Sequence, residues 1–288
     1  MGSQKKVAWR VAGRIVLMLI AFYVIVGILQ LIGAIEAGID WENPESLSVK
    51  EHLIMQCFGF IGTFGVVFFF RRKLDRRPFL SLGFEIKGRW CDLLVGAGLV
   101  VVMYSIGTLV IILSGQISIT INFIEWTPVS YGLIFFLLVS LCEEVLLRGY
   151  ILNNLLLVSN RYWALIISSL IFSLMHSFNP YINAFGWLNL FLGGILLGSA
   201  YIYTQNLWFP VSQHLFWNFI QGSVLDYNVS GMNLNSLLSF KYSTISYFNG
   251  GKFGFEGSII CTLLNLIAIV GIHVYFLRKE KREQECVI

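Results

Sequence analysis

The chain has 288 residues, of which 57% are hydrophobic and only 12% are charged. Because soluble globular domains carry about 25% charged residues, this composition excludes a soluble protein and predicts a polytopic membrane protein. The net charge is +4 and the five cysteines are scattered singly, so the sequence predicts neither a disulfide framework nor a thiolate metal site.

Apolar runs separated by polar or charged loops predict about eight membrane-spanning helices in an all-α bundle. In chain order the predicted spans run from about Ile15 to Ile35, Leu53 to Phe70, Leu93 to Leu113, Ser130 to Val158, Trp163 to His176, Trp187 to Tyr203, Leu207 to Gly222 and Ser258 to Leu277. The first run is longer than the roughly 7–15 apolar residues of a signal peptide, so we expect it to be retained. A polar, aromatic-rich loop, from Ser223 to Glu256, joins the last two spans.

The basic residues fall mainly on one side of this topology. That side holds Lys5, Lys6, Arg10, Arg14, the cluster Arg71–Arg77, Lys87, Arg89, Arg161 and the C-terminal group Arg278–Arg282. The other side holds only Lys50, Lys241 and Lys252, and the positive-inside rule then predicts that both termini are cytoplasmic. Topology alone explains these charges, so we expect no nucleic-acid partner. We expect a bacterial cytoplasmic membrane, because the chain is compact and shows no eukaryotic targeting signal.

Two carboxylates and a guanidinium interrupt the fourth span, which is otherwise uncharged. A charge at the bilayer centre costs at least about 2.5–3.5 kcal/mol, so such groups face the bundle interior, pair with each other and often mark function. Glu144 and Arg148 are four residues apart, the spacing of an ion pair on one helix face. Glu143 lies about 100° further round the helix and is left without this partner. A structural ion-pair cluster that locks two helices would explain the same residues.

His176 is predicted to lie at the same height as the two glutamates. If the fourth and fifth helices turn at Asn160, Glu144 stands sixteen residues before the turn and His176 sixteen residues after it. At about 1.5 Å per residue both would lie about 24 Å above the turn. A glutamate and a histidine at equal height can share a water molecule or a proton.

The seventh span carries His214 and Asn218, which are four residues apart and project from one helix face. Two hydrogen-bond donors on one stripe suit the stabilisation of an oxyanion. Counted from Asn206, however, they stand only about 12 and 18 Å high, so tilt or an uneven loop must bring them level with His176. A histidine within a helix can also be a hydrogen-bonded core residue without any catalytic role.

The ordered set Glu143-Glu144-x-x-x-Arg148, Phe172-x-x-x-His176 and His214-x-x-x-Asn218 resembles the CAAX-protease and bacteriocin-processing (CPBP) family. These proteins are type II CAAX prenyl endopeptidase-like intramembrane proteases. The resemblance covers about Tyr131 to Gly222, and all of its motifs are intact. It divides the chain into residues 1–125 with helices one to three, residues 126–222 with the catalytic helices, and residues 223–288 with the long loop and the last helix.

The resemblance implies an intramembrane endopeptidase of the glutamate type. Glu143 and His176 would activate the attacking water, His214 and Asn218 would hold the oxyanion, and Glu144 and Arg148 would be supporting. The implied substrates are CAAX-like or bacteriocin-like peptides or lipidated proteins, met among membrane lipids. No cofactor is expected, and the chain has no His-Glu-x-x-His zinc motif.

Two alternatives stay open. Two histidines and a glutamate could supply three ligands to a zinc ion with one open position, which would make the protein a metal-dependent peptidase. Alternatively, a non-proteolytic immunity, scaffold or transport protein could keep the same cluster as an ion-pair network.

Overall fold

The protein is described by a computed structural model that covers residues 2–42, 47–121, 125–234 and 236–285, and 74% of the chain is helical. Its apolar helices follow the order that the sequence predicts. Within the described residues these are α1 (Gly2–Ala37), α2 (Val49–Leu74), α3 (Trp90–Leu113), α4 (Trp126–Leu155), α5 (Arg161–Met175), α6 (Ala184–Thr204), α7 (Trp208–Phe219) and α8 (Ile259–Glu285).

Six of these helices are long and apolar enough to cross a membrane, and α5 and α7 are shorter. The 15 residues of α5 extend about 22 Å, less than the roughly 30 Å of a hydrocarbon core. The multi-pass, nearly all-α architecture is therefore confirmed. The count of eight spans and the cytoplasmic placement of both termini stay predictions.

Helix α4 lies at the centre of the bundle, in contact with α2, α5 and α7. Its segment Val145–Leu152 is a π-helix in which every residue is buried. A helix segment that is buried all round must be surrounded by other elements, and the apolar side chains of this segment form part of the largest core cluster. The turn that follows α4 lies where the sequence places it, because the side chain of Asn160 caps α5 through Tyr162 N and Trp163 N.

Helices α5 and α6 approach closely at two glycines. A Cβ atom on Gly194 would lie 2.9 Å from Ser169 Cα, and one on Gly198 would lie 2.4 Å from Leu165 Cδ1. Larger residues at either position would push the two helices apart, as is common where small residues recur every four positions in membrane helices. This close packing brings α6 beside the residues of α5 that precede His176.

The long loop after α7 packs back onto the bundle. It contributes strand β2 (Leu238–Tyr242), which pairs antiparallel with β1 (Ile117–Ile121) from the connection between α3 and α4. Neither strand is predicted by the sequence analysis. The end of the loop is held by Asn189 of α6, whose Nδ2 donates to the carbonyl oxygens of Glu256 (2.7 Å) and Ser258 (2.8 Å).

Candidate active site

Glu144 and Arg148 form a buried ion pair. Arg148 Nη1 lies 2.8 Å from Glu144 Oε1, and both side chains are at most 1% exposed. The guanidinium also donates through Nη2 to the carbonyl oxygen of Gly194 at 3.1 Å and lies 4.9 Å from the centroid of the Phe172 ring. The pairing follows the four-residue spacing in the sequence, and the contacts of Arg148 join α4 to α5 and α6.

Glu143 lies outside this ion pair and faces two histidines. Its Oε2 atom is 3.8 Å from His176 Nε2 and 3.9 Å from His214 Nε2. The same oxygen makes no hydrogen bond within the described part of the chain, and the side chain is 24% exposed. The three groups are thus within reach of a single water molecule, which is the geometry that proton transfer through a water needs. Their catalytic roles stay predictions.

The second ring nitrogen of each histidine is fixed by a separate partner. His176 Nδ1 lies 2.8 Å from the carbonyl oxygen of Phe172. Since a carbonyl oxygen only accepts, this nitrogen must carry the hydrogen. His214 Nδ1 lies 2.8 Å from Glu144 Oε1, a carboxylate oxygen that also accepts from Arg148. Both rings therefore direct Nε2 towards Glu143. The sequence does not predict the contact between His214 and Glu144, because no spacing links residues 70 positions apart.

The π-helix helps explain how His214 reaches Glu143. The sequence-based heights assume α-helical rise along the whole of α4, which places Glu144 well above His214. A π-helix closes its hydrogen bonds over five residues and fits more residues into each turn, so it advances less per residue. Because Val145–Leu152 is π-helical, α4 advances less over these eight residues than the sequence-based count assumes.

All four predicted catalytic side chains, Glu143, His176, His214 and Asn218, line one cavity of about 470 Å³. Asn218 is 6% exposed, and its side chain makes no hydrogen bond with any described residue, so its amide is free to donate into the cavity. The remaining wall includes apolar and polar residues from several elements: Gln30, Phe135, Phe136, Val139, Phe172, Asn179, Pro180, Leu190, Val229, Ser230, Met232 and Glu256.

Part of this wall comes from outside α4, α5 and α7, which carry the four predicted catalytic residues or end beside them. Gln30 belongs to α1, while Ser230 and Glu256 belong to the long loop. The Glu256 carboxylate accepts from Trp217 Nε1 at 3.0 Å and from the Ser230 backbone N and Oγ at 3.0 and 2.7 Å. It forms no ion pair among the described residues. The only sequence signal was an isolated acidic residue just before the last apolar run.

The donor types around Glu143 are those that zinc uses. His176 Nε2, His214 Nε2 and Glu143 Oε2 are the atoms that would hold the ion, leaving a fourth position for water. Ligands at about 2.0–2.1 Å in a tetrahedron lie roughly 3.3 Å apart, closer than the 3.8 and 3.9 Å observed. Within the described ranges no group of three His, Cys, Asp or Glu residues is arranged to hold a metal ion. Binding would therefore require these side chains to move closer together.

Comparison with known proteins relates one part of the chain to a protease family. A protein-family model described as type II CAAX prenyl endopeptidase Rce1-like matches residues 125–220. This range spans α4 to α7 and contains every candidate site residue that the sequence analysis names. No curated protein matches the chain. The resemblance drawn from the sequence motifs is confirmed over residues 125–220, where the chain is similar to the Rce1-like (CPBP) family.

Proposed function

We propose that this protein is a glutamate-type intramembrane endopeptidase in which Glu143 and His176 activate water. The family match indicates a protease, and the long apolar helices indicate a multi-pass membrane protein. The observation that carries the proposal is that Glu143 Oε2 has no hydrogen-bond partner among the described residues yet lies within 3.9 Å of two imidazole Nε2 atoms. A purely structural ion-pair cluster needs Glu144 and Arg148 but gives no reason for this open carboxylate.

In the proposed reaction, a water molecule lies between Glu143 and His176. The unprotonated Nε2 of His176 accepts one hydrogen of this water and orients it, while Glu143 takes the other as general base. The water oxygen attacks the carbonyl carbon of the scissile peptide bond. The C–N bond then breaks, and the proton held by Glu143 passes to the leaving amine.

The carbonyl oxygen becomes negatively charged when water attacks, and we assign its stabilisation to His214 and Asn218. Asn218 can donate from its free amide. His214 can donate from Nε2 only when the ring carries both protons, because Nδ1 already points at Glu144. Glu144 supports that charged ring, and Arg148 holds Glu144 in place, as a buried carboxylate orients the histidine of a serine protease. Glu144 and Arg148 therefore act through His214 and do not touch the substrate.

The substrate we propose is a CAAX-like or bacteriocin-like peptide or a lipidated protein, reached in a bacterial cytoplasmic membrane. A cavity of about 470 Å³ is within the range of roughly 300–1,000 Å³ found for ligand-binding pockets. The test is cleavage of an internally quenched prenylated peptide by the purified full-length protein in detergent. The same peptide without the prenyl group shows whether the lipid is needed.

The competing function is a non-proteolytic immunity, scaffold or transport protein that keeps Glu144 and Arg148 as an internal lock. Transport would favour discontinuous helices and internal repeats, and the sequence shows neither. Failure of the wild-type protein to cleave any prenylated or unprenylated peptide, at concentrations where it is folded, would favour this alternative.

We expect peptide cleavage to persist after exhaustive treatment with EDTA or 1,10-phenanthroline. A carboxylate that is held near a histidine and a free water position can act as a general base without a Lewis acid. The measurement is the initial rate before and after chelation, together with elemental analysis of the purified protein for zinc. Loss of the rate on chelation, with recovery on adding zinc, would contradict this expectation. Glu143, His176 and His214 would then be metal ligands, and Asn218 alone would remain to hold the oxyanion.

A further inference from the structure

A second, smaller cavity of about 40 Å³ lies beside the one that contains Glu143. We call it the inner chamber, and it is lined by residues of α5, α6, α7, α8 and the end of the long loop. Its wall is formed by Phe172, Asn189, Leu190, Gly193, Leu196, Leu197, Gln213, His214, Trp217, Asn218, Glu256 and Asn265. Since His214, Asn218 and Glu256 line both cavities, the inner chamber directly adjoins the candidate active site.

Two adjacent stripes of α7 face the two cavities. His214 and Asn218 line both, whereas Gln213 and Trp217, also four residues apart, line only the inner chamber. Each residue advances about 100° around an α-helix, so these stripes are neighbours on the helix surface. The residues proposed to hold the oxyanion thus have the inner chamber immediately beside them.

The inner chamber contains buried polar atoms without protein partners. Gln213 is 1% exposed, and neither its Oε1 nor its Nε2 makes a hydrogen bond within the described chain. Asn265, also 1% exposed, reaches the same chamber from α8, and its Oδ1 atom is equally unpartnered. Buried amides in native proteins are nearly always hydrogen-bonded, and burying one without a partner is costly. Two such amides, from different helices, line this one chamber. They point to a ligand that can both donate and accept hydrogen bonds.

We propose that the inner chamber is a water-binding site that supplies the hydrolytic reaction. A water molecule needs about 10–15 Å³ of such volume and two to four polar partners, so about 40 Å³ is enough for two or three. The Gln213 amide offers a hydrogen-bond donor and an acceptor, and Asn265 Oδ1 offers an acceptor. The Asn218 amide is free to donate a hydrogen bond on the side of the active site. Other wall residues, such as Leu196 and Leu197, are apolar and buried.

This role rests on the proposed function, because each peptide bond hydrolysed consumes one water molecule inside an apolar membrane bundle. A water consumed in the candidate active site can be replaced from the inner chamber past Asn218. Gln213 is then a positioning residue: it holds water next to the site and does not contact the substrate. Its removal should lower kcat and leave KM unchanged.

The water site can be tested without any substrate by pulsed X-ray radiolysis of the full-length protein in detergent. Radiolysis converts bound water into hydroxyl radicals, which oxidise the side chains beside them. Leu196 is the reporter, since it is 2% exposed and lines only the inner chamber. Leu146, buried at 0% and part of neither cavity wall, is the internal control. We expect oxidation of Leu196 to exceed that of Leu146 clearly. Equal oxidation of the two leucines would overturn the water site.

The Gln213→Met variant links the water to catalysis, because methionine keeps the length of the side chain and removes both polar atoms. We expect oxidation of Leu196 to fall and kcat to drop about tenfold, the effect of one lost hydrogen bond, at unchanged KM. Ser212→Ala is the matched control on the same helix, as Ser212 Oγ donates to the Leu93 carbonyl oxygen and faces α3. If Gln213→Met does not fold, Asn265→Leu tests the same chamber from α8.

The outcomes separate the water site from the proposed function. Reduced oxidation of Leu196 with unchanged kcat would overturn the supply role. Oxidation of Leu196 that is unaffected by both variants would overturn the assignment of Gln213 and Asn265 as water ligands. Wild-type protein that shows the labelling pattern but cleaves no peptide would support the water site and contradict the proposed protease activity.

Discussion

Glu143→Gln is expected to abolish peptide cleavage while leaving the unfolding temperature near that of the wild-type protein. Glutamine keeps the shape of the side chain but cannot take a proton from water, and loss of a general base typically lowers a rate by about 10²–10⁴-fold. The fold should tolerate the change, because Glu143 makes no hydrogen bond with any described residue. The carboxylate is thus expected to matter for chemistry and not for packing.

The measurement pairs the initial rate on the prenylated peptide with thermal unfolding in the same detergent. Glu36→Gln is a suitable control, since it makes the same chemical change on the exposed surface of α1. Full activity of the Glu143→Gln variant would show that another group activates the water. A large drop in unfolding temperature would instead place Glu143 in the structural network.

Arg148→Ala is expected to destabilise the protein by roughly 3–5 kcal/mol, because removing one partner of a buried ion pair leaves the other charge uncompensated. Glu144 is 0% exposed and, among the described residues, would keep only His214 as a partner. The substitution also removes the hydrogen bond to the carbonyl oxygen of Gly194 and the contact with the Phe172 ring. We therefore expect low expression and a strongly reduced unfolding temperature.

Arg89→Ala is the matched control for this effect. Arg89 also forms an ion pair within one helix turn, with Asp92 at 3.2 Å, but both side chains are about a third exposed. Surface pairs of this kind contribute about 0–1 kcal/mol, so the unfolding temperature should barely change. A double variant, Glu144→Gln with Arg148→Met, should recover stability relative to Arg148→Ala, since it removes both charges. Normal folding of Arg148→Ala would show that the buried pair does not hold the helices together.

The sequence predicts the helical part of the site well because helix geometry is regular. Four-residue spacing is enough to pair Glu144 with Arg148, and counting residues from Asn160 is enough to bring Glu143 near His176. The same counting does not predict the contact between His214 and Glu144, and it assumes one helix type throughout α4. The residues of Val145–Leu152, most of which are apolar, carry no pattern that distinguishes a π-helix from an α-helix.

Residue spacing along helices does not predict what the long loop contributes to the site. Strand β2 pairs with a strand more than a hundred residues earlier. Glu256 lies in the cavity wall on a loop end whose backbone accepts hydrogen bonds from Asn189. At Gly254 the backbone has φ +97°, and a Cβ atom would lie 1.8 Å from the carbonyl oxygen of Asn228. These are contacts between distant segments, and residue spacing within one helix carries no information about them.

The π-helix sets the angular phase of α4. It holds more residues per turn than an α-helix. The direction in which Glu143 and Glu144 point is therefore set by the helix type and by the number of residues between them and the Asn160 turn. Inserting one alanine after Leu152, where the α-helix resumes, would rotate both glutamates by about 100° relative to the turn. The chain would keep every one of its charged, histidine and apolar residues, yet Glu143 would face away from His176 and His214. The register of this segment is therefore as much a requirement for the site as the identities of its residues.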